Sequence, residues 1–211
     1  MPTLLLTGFE PFAGDTVNPS GDAVRAVAER WTGSDRLITE VLPVTFDGAI
    51  ARMAALLDEH RPDVVLATGL AGGRTAVTPE RIAVNLADAR IPDNVGHRPQ
   101  DAAVVEGGPA AYFATLPVKA ISAALGAAGI PSTLSHTAGT FVCNATMYAA
   151  LHATEGTATR AGFIHLPWAE GTGPDGAPSL PIETIRDALE IAARVALASE
   201  DDVAAAGGEL S

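Results

Sequence analysis

Asp63-Val64-Val65-Leu66-Ala67-Thr68-Gly69 decides the fold. This short apolar run stops at a glycine, the pattern of a central strand covered on both faces. Just upstream, Phe46, Ile50, Met53 and Leu57 recur at helical spacing and predict an amphipathic helix that stops before Arg61-Pro62. Before that helix, Leu37 to Val44 is a strand candidate of mixed polarity, suited to a place near an edge. Strand, helix and strand joined by short links is the signature of parallel pairing through right-handed crossovers.

The same grammar extends both ways. Thr3-Leu4-Leu5-Leu6-Thr7-Gly8 is a second buried strand ending in glycine, and Asn18-Pro19-Ser20 opens a helix, with Asn18 as cap and Pro19 at the first helical position. Thr78 to Asn85 reads as one strand, because Ile82, Val84 and Leu86 alternate, with Glu80 near its start. Arg90 to Gly108 reads as a long loop. Leu116, Ile121 and Leu125 line a helix, Ile130 to Ser135 a strand, and Ala145 to Leu151 a further helix. Ala161-Gly162-Phe163-Ile164-His165-Leu166-Pro167 is a short strand, and Ile182, Ile185, Leu189 and Val195 mark the last helix. The expectation is one domain over residues 1–211, a three-layer α/β/α sandwich with a mixed, mostly parallel sheet, frayed over about 200–211.

Composition bounds the function. Hydrophobic residues are 47% and charged residues 18% of the 211, which excludes disorder. A net charge of −12 with no basic patch argues against nucleic acid or an anionic membrane as partner. No apolar run reaches the length of a membrane span, and the N-terminus enters a strand without a cationic lead. One cysteine cannot form an intrachain disulfide, which suits a reducing cytoplasm. Scattered histidines and no paired cysteines argue against a metal site, and no cofactor is expected. The Gly69–Gly73 turn lacks the lysine of a phosphate loop.

That single cysteine sits in Gly139-Thr140-Phe141-Val142-Cys143-Asn144, where a loop runs into a helix. Free backbone N–H groups and the positive end of a helix dipole favour a thiolate there. In parallel sheets, sites form outside the carboxyl ends of the strands. The loops after Gly8, Gly69, Thr137 and Ile164 open on that edge if their strands are parallel; they carry two phenylalanines, a Gly-rich turn, Cys143 and His165. A cysteine nucleophile needs a base and a third group to orient the base. Of the five histidines, His165 is the best base, because its strand should lie beside the cysteine. Glu80 is a good orienting acid, with Glu10 and Asp15 as competitors that spacing alone does not separate.

Longer matches narrow this further. Gly8-Phe9-Glu10-Pro11-Phe12 with Asn18-Pro19-Ser20 resembles the opening signature of the pyroglutamyl-peptidase I (pyrrolidone-carboxylate peptidase) family of cysteine peptidases. Gly72-Gly73-Arg74 and Pro79-Glu80-Arg81-Ile82-Ala83-Val84-Asn85 resemble its glutamate motif, and Ile91-Pro92-Asp93-Asn94 and Gly107-Gly108-Pro109-Ala110-Ala111-Tyr112 also fit. Thr137 to Asn144 resembles its cysteine motif, and Gly162-Phe163-Ile164-His165-Leu166-Pro167 its histidine motif. Five modest motifs in order over nearly the whole chain are specific together.

The resemblance implies a Cys143–His165–Glu80 triad that cleaves the amide after an N-terminal pyroglutamyl residue. It also implies an oxyanion site at the backbone N–H of Cys143, with Arg90 nearby, and a homo-oligomer, dimer or tetramer. A pyroglutamyl ring is a neutral lactam, so its pocket needs apolar walls and a matched pair of hydrogen bonds. Phe9, Phe12 and Phe141 can supply walls, Ile91 and Val142 can add to them, and Asn18 can supply a polar contact. Two positions depart from the family pattern. Leu70 stands where many relatives have Gln, so a side-chain amide contact is lost. Ala13 stands where Gly is common, a tolerable change if its φ is negative. The rival readings are another cysteine-dependent amidase on this fold, or a catalytically silent small-molecule-binding protein.

Overall fold

The computed structural model describes residues 1–199 and 201–207. In chain order the elements are β1 (Thr3–Phe9), α1 (Pro19–Arg30), β2 (Arg36–Leu42), α2 (Phe46–His60), β3 (Val64–Leu70), β4 (Thr78–Glu80) and β5 (Ile82–Val84). They continue with β6 (Ala111–Phe113), α3 (Val118–Ala127), α4 (Val142–Thr154), β7 (Arg160–Leu166), β8 (Trp168–Ala169), β9 (Ser179–Leu180) and α5 (Ile182–Ala198). The main sheet has the order β2-β1-β3-β7-β4. Its first four strands are parallel, and β4 closes one edge antiparallel to β7.

Both faces of the sheet are covered, which is why its central strands are apolar without interruption. Leu4, Leu6, Val64, Leu66, Ile164 and Leu166 pack into one core with α1, α3 and α5. Leu5, Phe9, Val65, Ala67, Ala161 and Phe163, one residue out of step, pack into the other with α2 and α4. The same alternation turns His165 toward the α2/α4 side. β2 is only partly buried, as its mixed polarity and edge place require. Asn18 caps α1 by accepting from the Ser20 N–H, and Pro19 takes the first helical position.

Two expectations are corrected. Thr78 to Asn85 is not one strand: it breaks at Arg81 into β4, which stays in the main sheet, and β5, which pairs antiparallel with β6. Ile130 to Ser135 forms only isolated bridges, Val77 with Ser132 and Glu80 with Ser135. The cause is proline. The ladder runs from Val77 N–H to Pro131 O, from Thr133 N–H to Val77 O, from Ser135 N–H to Pro79 O and from Arg81 N–H to Ser135 O. Pro79 has no N–H to supply the bond between them.

The expected frayed tail falls partly on residues 200 and 208–211, which lie outside the described residues. Residues 201–207 form no regular element. Yet Asp202 accepts backbone hydrogen bonds from Lys119 (3.1 Å) and Ala120 (2.9 Å) in the first turn of α3, and Lys119 Nζ donates to Ala205 O.

Candidate active site

Gly69 and His165 are register partners at the carboxyl ends of β3 and β7. α4 begins beside them, and Cys143 is its second residue. A Cβ at Gly69 would lie 2.9 Å from Cys143 Sγ and 2.9 Å from the Phe163 ring. The glycine that ends the β3 run therefore lets the sulfur rest on the strand backbone next to the imidazole. His165 Nδ1 is 2.7 Å from Glu80 Oε1, so the ring donates there and leaves Nε2 for the sulfur. The ring is tilted against Phe163 at 4.8 Å and is buried.

Burial alone would pull His165 below its ordinary 6.5. Interaction with the Cys143 sulfur, then the Glu80 hydrogen bond and charge, outweigh this and raise it to about 9. Glu80 is wholly buried. Its Oε1 also accepts from Arg74 Nη2 at 3.2 Å, while Oε2 has no hydrogen-bond partner among the described residues. The competing acids are engaged elsewhere. Glu10 accepts from Val44 N–H and Asn94 Nδ2, stapling two loops together, and Asp15 is exposed at the rim of the cavity described below. The remaining histidines lie apart: His97 and His136 are exposed, His60 sits beside Glu59, and His152 meets Tyr112.

The start of α4 is bare. Phe141 at its N-cap makes no side-chain capping bond, and no acid lies in the first turn. The first N–H groups of a helix have no intrahelical partner, so those of this turn are presented next to the sulfur. Asn144 anchors the turn from behind. Its side chain accepts from Val84 N–H and donates to Val84 O and Leu86 O, joining α4 to the chain that leaves Glu80.

A cavity of about 110 Å³ opens beside Cys143. Phe9, Phe12, Val17, Val44, Leu70, Phe141 and Val142 supply its apolar walls, and Asn18 and Asp15 its polar points. Phe141 is wedged between Phe12 (5.1 Å) and Phe46 (5.2 Å). Both lone pairs of Asn18 Oδ1 are taken, by the Ser20 N–H and hydroxyl, and Nδ2 donates once, to Glu10 O. One amide N–H of Asn18 is left over.

Arg90 and Ile91, expected at the oxyanion and in the pocket wall, are not among the residues lining this cavity. They line an adjoining groove with Asp88, Gly139, Thr140 and Phe141, and Ile91 is 48% exposed. Asp93 and Asn94, just beyond Pro92, hold the loop in this course. Asp93 accepts from the Phe46, Val95 and His97 N–H groups, and Asn94 donates to Glu10 and Pro11 O. Sequence reasoning assigned no role to Val17, Val44, Arg74 or Asn144. A polar residue beside the cysteine, in the first turn of a largely apolar helix, was the available sign for Asn144. Ala13 has φ 56°, so the condition that made its replacement of glycine harmless is not met.

A thiol at a helix start beside an imidazole at the carboxyl edge of a parallel sheet, with a buried carboxylate from the antiparallel edge strand on the imidazole, is the side-chain set of the cysteine hydrolases. The family model for pyroglutamyl peptidase matches residues 2–199. The chain is 47% identical to pyrrolidone-carboxylate peptidase 1 of Ralstonia nicotianae, covering 100% of both, and 50% identical to the pyrrolidone-carboxylate peptidase of Thermococcus kodakarensis, covering 91% of this chain and 94% of that one. The crystal structure of Bacillus amyloliquefaciens pyroglutamyl peptidase I superposes with TM-score 0.92 at 43% identity, covering 96% of this chain and 100% of that one. The chain belongs to the pyroglutamyl peptidase family. Among the described residues no helix is long and apolar enough to cross a membrane.

Proposed function

We propose that this chain is a cysteine exopeptidase that hydrolyses the amide bond after an N-terminal pyroglutamyl residue. The observation that carries the reading is the line from buried Glu80 through buried His165 to half-buried Cys143, ending at a small apolar cavity. Cys143 attacks the pyroglutamyl carbonyl carbon as the thiolate, with its proton already on His165. The carbonyl oxygen becomes an oxyanion and takes hydrogen bonds from the bare first turn of α4. His165 then donates its proton to the departing amine, and the acyl group remains on sulfur as a thioester. The neutral ring next accepts a proton from water, which attacks the thioester. Release of pyroglutamate returns the thiolate and imidazolium. Glu80 keeps the Nδ1 proton in place throughout.

The lactam ring fits between Phe9, Phe12, Phe141 and Val142, with the spare Asn18 N–H toward its carbonyl. Leu70 adds an apolar wall and no side-chain hydrogen bond. A cysteine-dependent enzyme suits the cytoplasm, and a homo-oligomeric state is readily checked by light scattering. The direct test is hydrolysis of a chromogenic pyroglutamyl amide beside its prolyl analogue, before and after thiol alkylation. The expected preference is on the order of 10⁴ where buried polar groups lose their partners, with all activity lost on alkylation. Equal turnover of the two amides points to a broader amidase, and no turnover of any amide to a silent binding protein.

A further inference from the structure

We infer that Arg74 is a positioning residue of this reaction: it is the lasting countercharge of Glu80 and ties the Glu80 strand to the segment that leads to Cys143. The inference rests on the function proposed above. Arg74 closes the Gly-rich turn after β3, its N–H bonded to Ala71 O at 2.9 Å. From there Nη2 reaches three groups: Glu80 Oε1 at 3.2 Å, Ser135 Oγ at 3.1 Å and Thr137 O at 3.5 Å. Ser135 is itself locked to the Glu80 strand through its N–H to Pro79 O and its O to the Arg81 N–H. The guanidinium thus spans the joint where two proline-interrupted segments meet, six residues before the nucleophile.

In the resting state of the mechanism proposed above, signs alternate along the line: Cys143 negative, His165 positive, Glu80 negative, Arg74 positive. When His165 gives its proton to the leaving amine and Cys143 is acylated, the first two charges vanish. Glu80 is then a wholly buried anion with a neutral histidine on Oε1 and, among the described residues, nothing on Oε2. A buried, uncompensated carboxylate is costly. Arg74, always protonated and one-third exposed, is the cation that remains through that step. Without it Glu80 holds the imidazolium proton more tightly, and proton delivery to the amine slows.

The titratable and charged side chains that meet the His165 ring are Cys143 from α4 and Glu80 from β4, with Arg74 behind Glu80 from the turn after β3. The test is steady-state kinetics of Arg74→Gln and Arg74→Lys on a pyroglutamyl amide, with and without Glu80→Gln. The expected loss in kcat for Arg74→Gln is about 10- to 100-fold, a part of what general acid–base catalysis contributes, with KM changed less than about twofold. The alkaline limb of its kcat/KM profile should move to higher pH. Arg74→Lys keeps the charge and should recover most of the rate. In the Glu80→Gln background the Arg74→Gln loss should largely disappear. An unmoved alkaline limb, a lysine variant as slow as the glutamine one, or a loss that persists without the Glu80 charge overturns the inference. If only Arg74→Lys folds, a rate and limb near wild type support it and a large loss overturns it. An inactive wild type overturns the proposed function itself, and this inference with it.

Discussion

α3 and α4 both begin without a capping side chain of their own, and the molecule treats them differently. At α3, residue Asp202 comes back from beyond the last helix to accept from the Lys119 and Ala120 N–H groups. At α4, whose N-cap is Phe141, nothing equivalent is provided among the described residues. The capped end lies on the α1/α3/α5 side of the sheet, and the open end carries Cys143 on the other. The difference teaches that a vacant helix start is not a defect of design here. Of these two starts, the one beside Cys143 keeps its N–H groups free for an oxyanion, and the other is capped by Asp202.

Changes at the open end should dominate. Cys143→Ala and His165→Ala should each lower kcat on a pyroglutamyl amide by at least about 10⁴-fold, since they remove the nucleophile or its acid–base partner. Circular dichroism should show the fold retained; substantial activity in either variant breaks the assignment. Glu80→Gln should cost less, about 10²-fold, because Gln can still accept from the imidazole N–H. An unchanged rate there moves the orienting role to another residue.

The pH dependence sharpens the same point. His165 is raised to about 9, above its ordinary 6.5. A raised histidine binds its proton more tightly when folded, so its stabilisation is complete below about 6.5 and lost as pH rises through about 9. Activity should follow the same proton: kcat/KM should hold to near pH 9 and fall above it. An alkaline limb near 6.5 would show that the sulfur and Glu80 do not hold the imidazolium.

The capped end should respond in stability alone. Asp202→Ala should cost about 1 kcal/mol, a fall in Tm of roughly 2–4 °C for a chain of this size, with kcat unchanged. An unaltered melting curve removes the capping role. The smallest effect is expected at Ala13: relief of its left-handed backbone by Ala13→Gly, less the added flexibility of the unfolded chain, should raise stability by about 0.5 kcal/mol. A lower Tm would show that the positive φ carries no strain.

What could be read in advance follows from the range of the interactions. The strands β1, β3 and β7 were legible because burial on both faces writes an unbroken apolar run. Cys143 could be singled out because it is the one cysteine and stands where a loop runs into a helical pattern. Glu80 was named together with Glu10 and Asp15 from spacing, and the family resemblance pointed to Glu80; the structure shows one buried on His165, one stapling loops and one at a rim. The split at Arg81 and the broken ladder at Ser135 were hidden because they depend on which strands meet, and on the N–H that Pro79 lacks. Arg74 and Asp202 act across 61 and 83 positions of sequence respectively, with no local pattern to announce them.

The central claim is that acyl transfer passes through the Cys143 sulfur. The most direct measurement is intact-protein and peptide mass spectrometry of enzyme quenched in acid during turnover of a pyroglutamyl amide. The expected result is a pyroglutamyl thioester on the peptide containing Cys143, absent from Cys143→Ala. Steady turnover that survives complete alkylation of Cys143 would contradict the account.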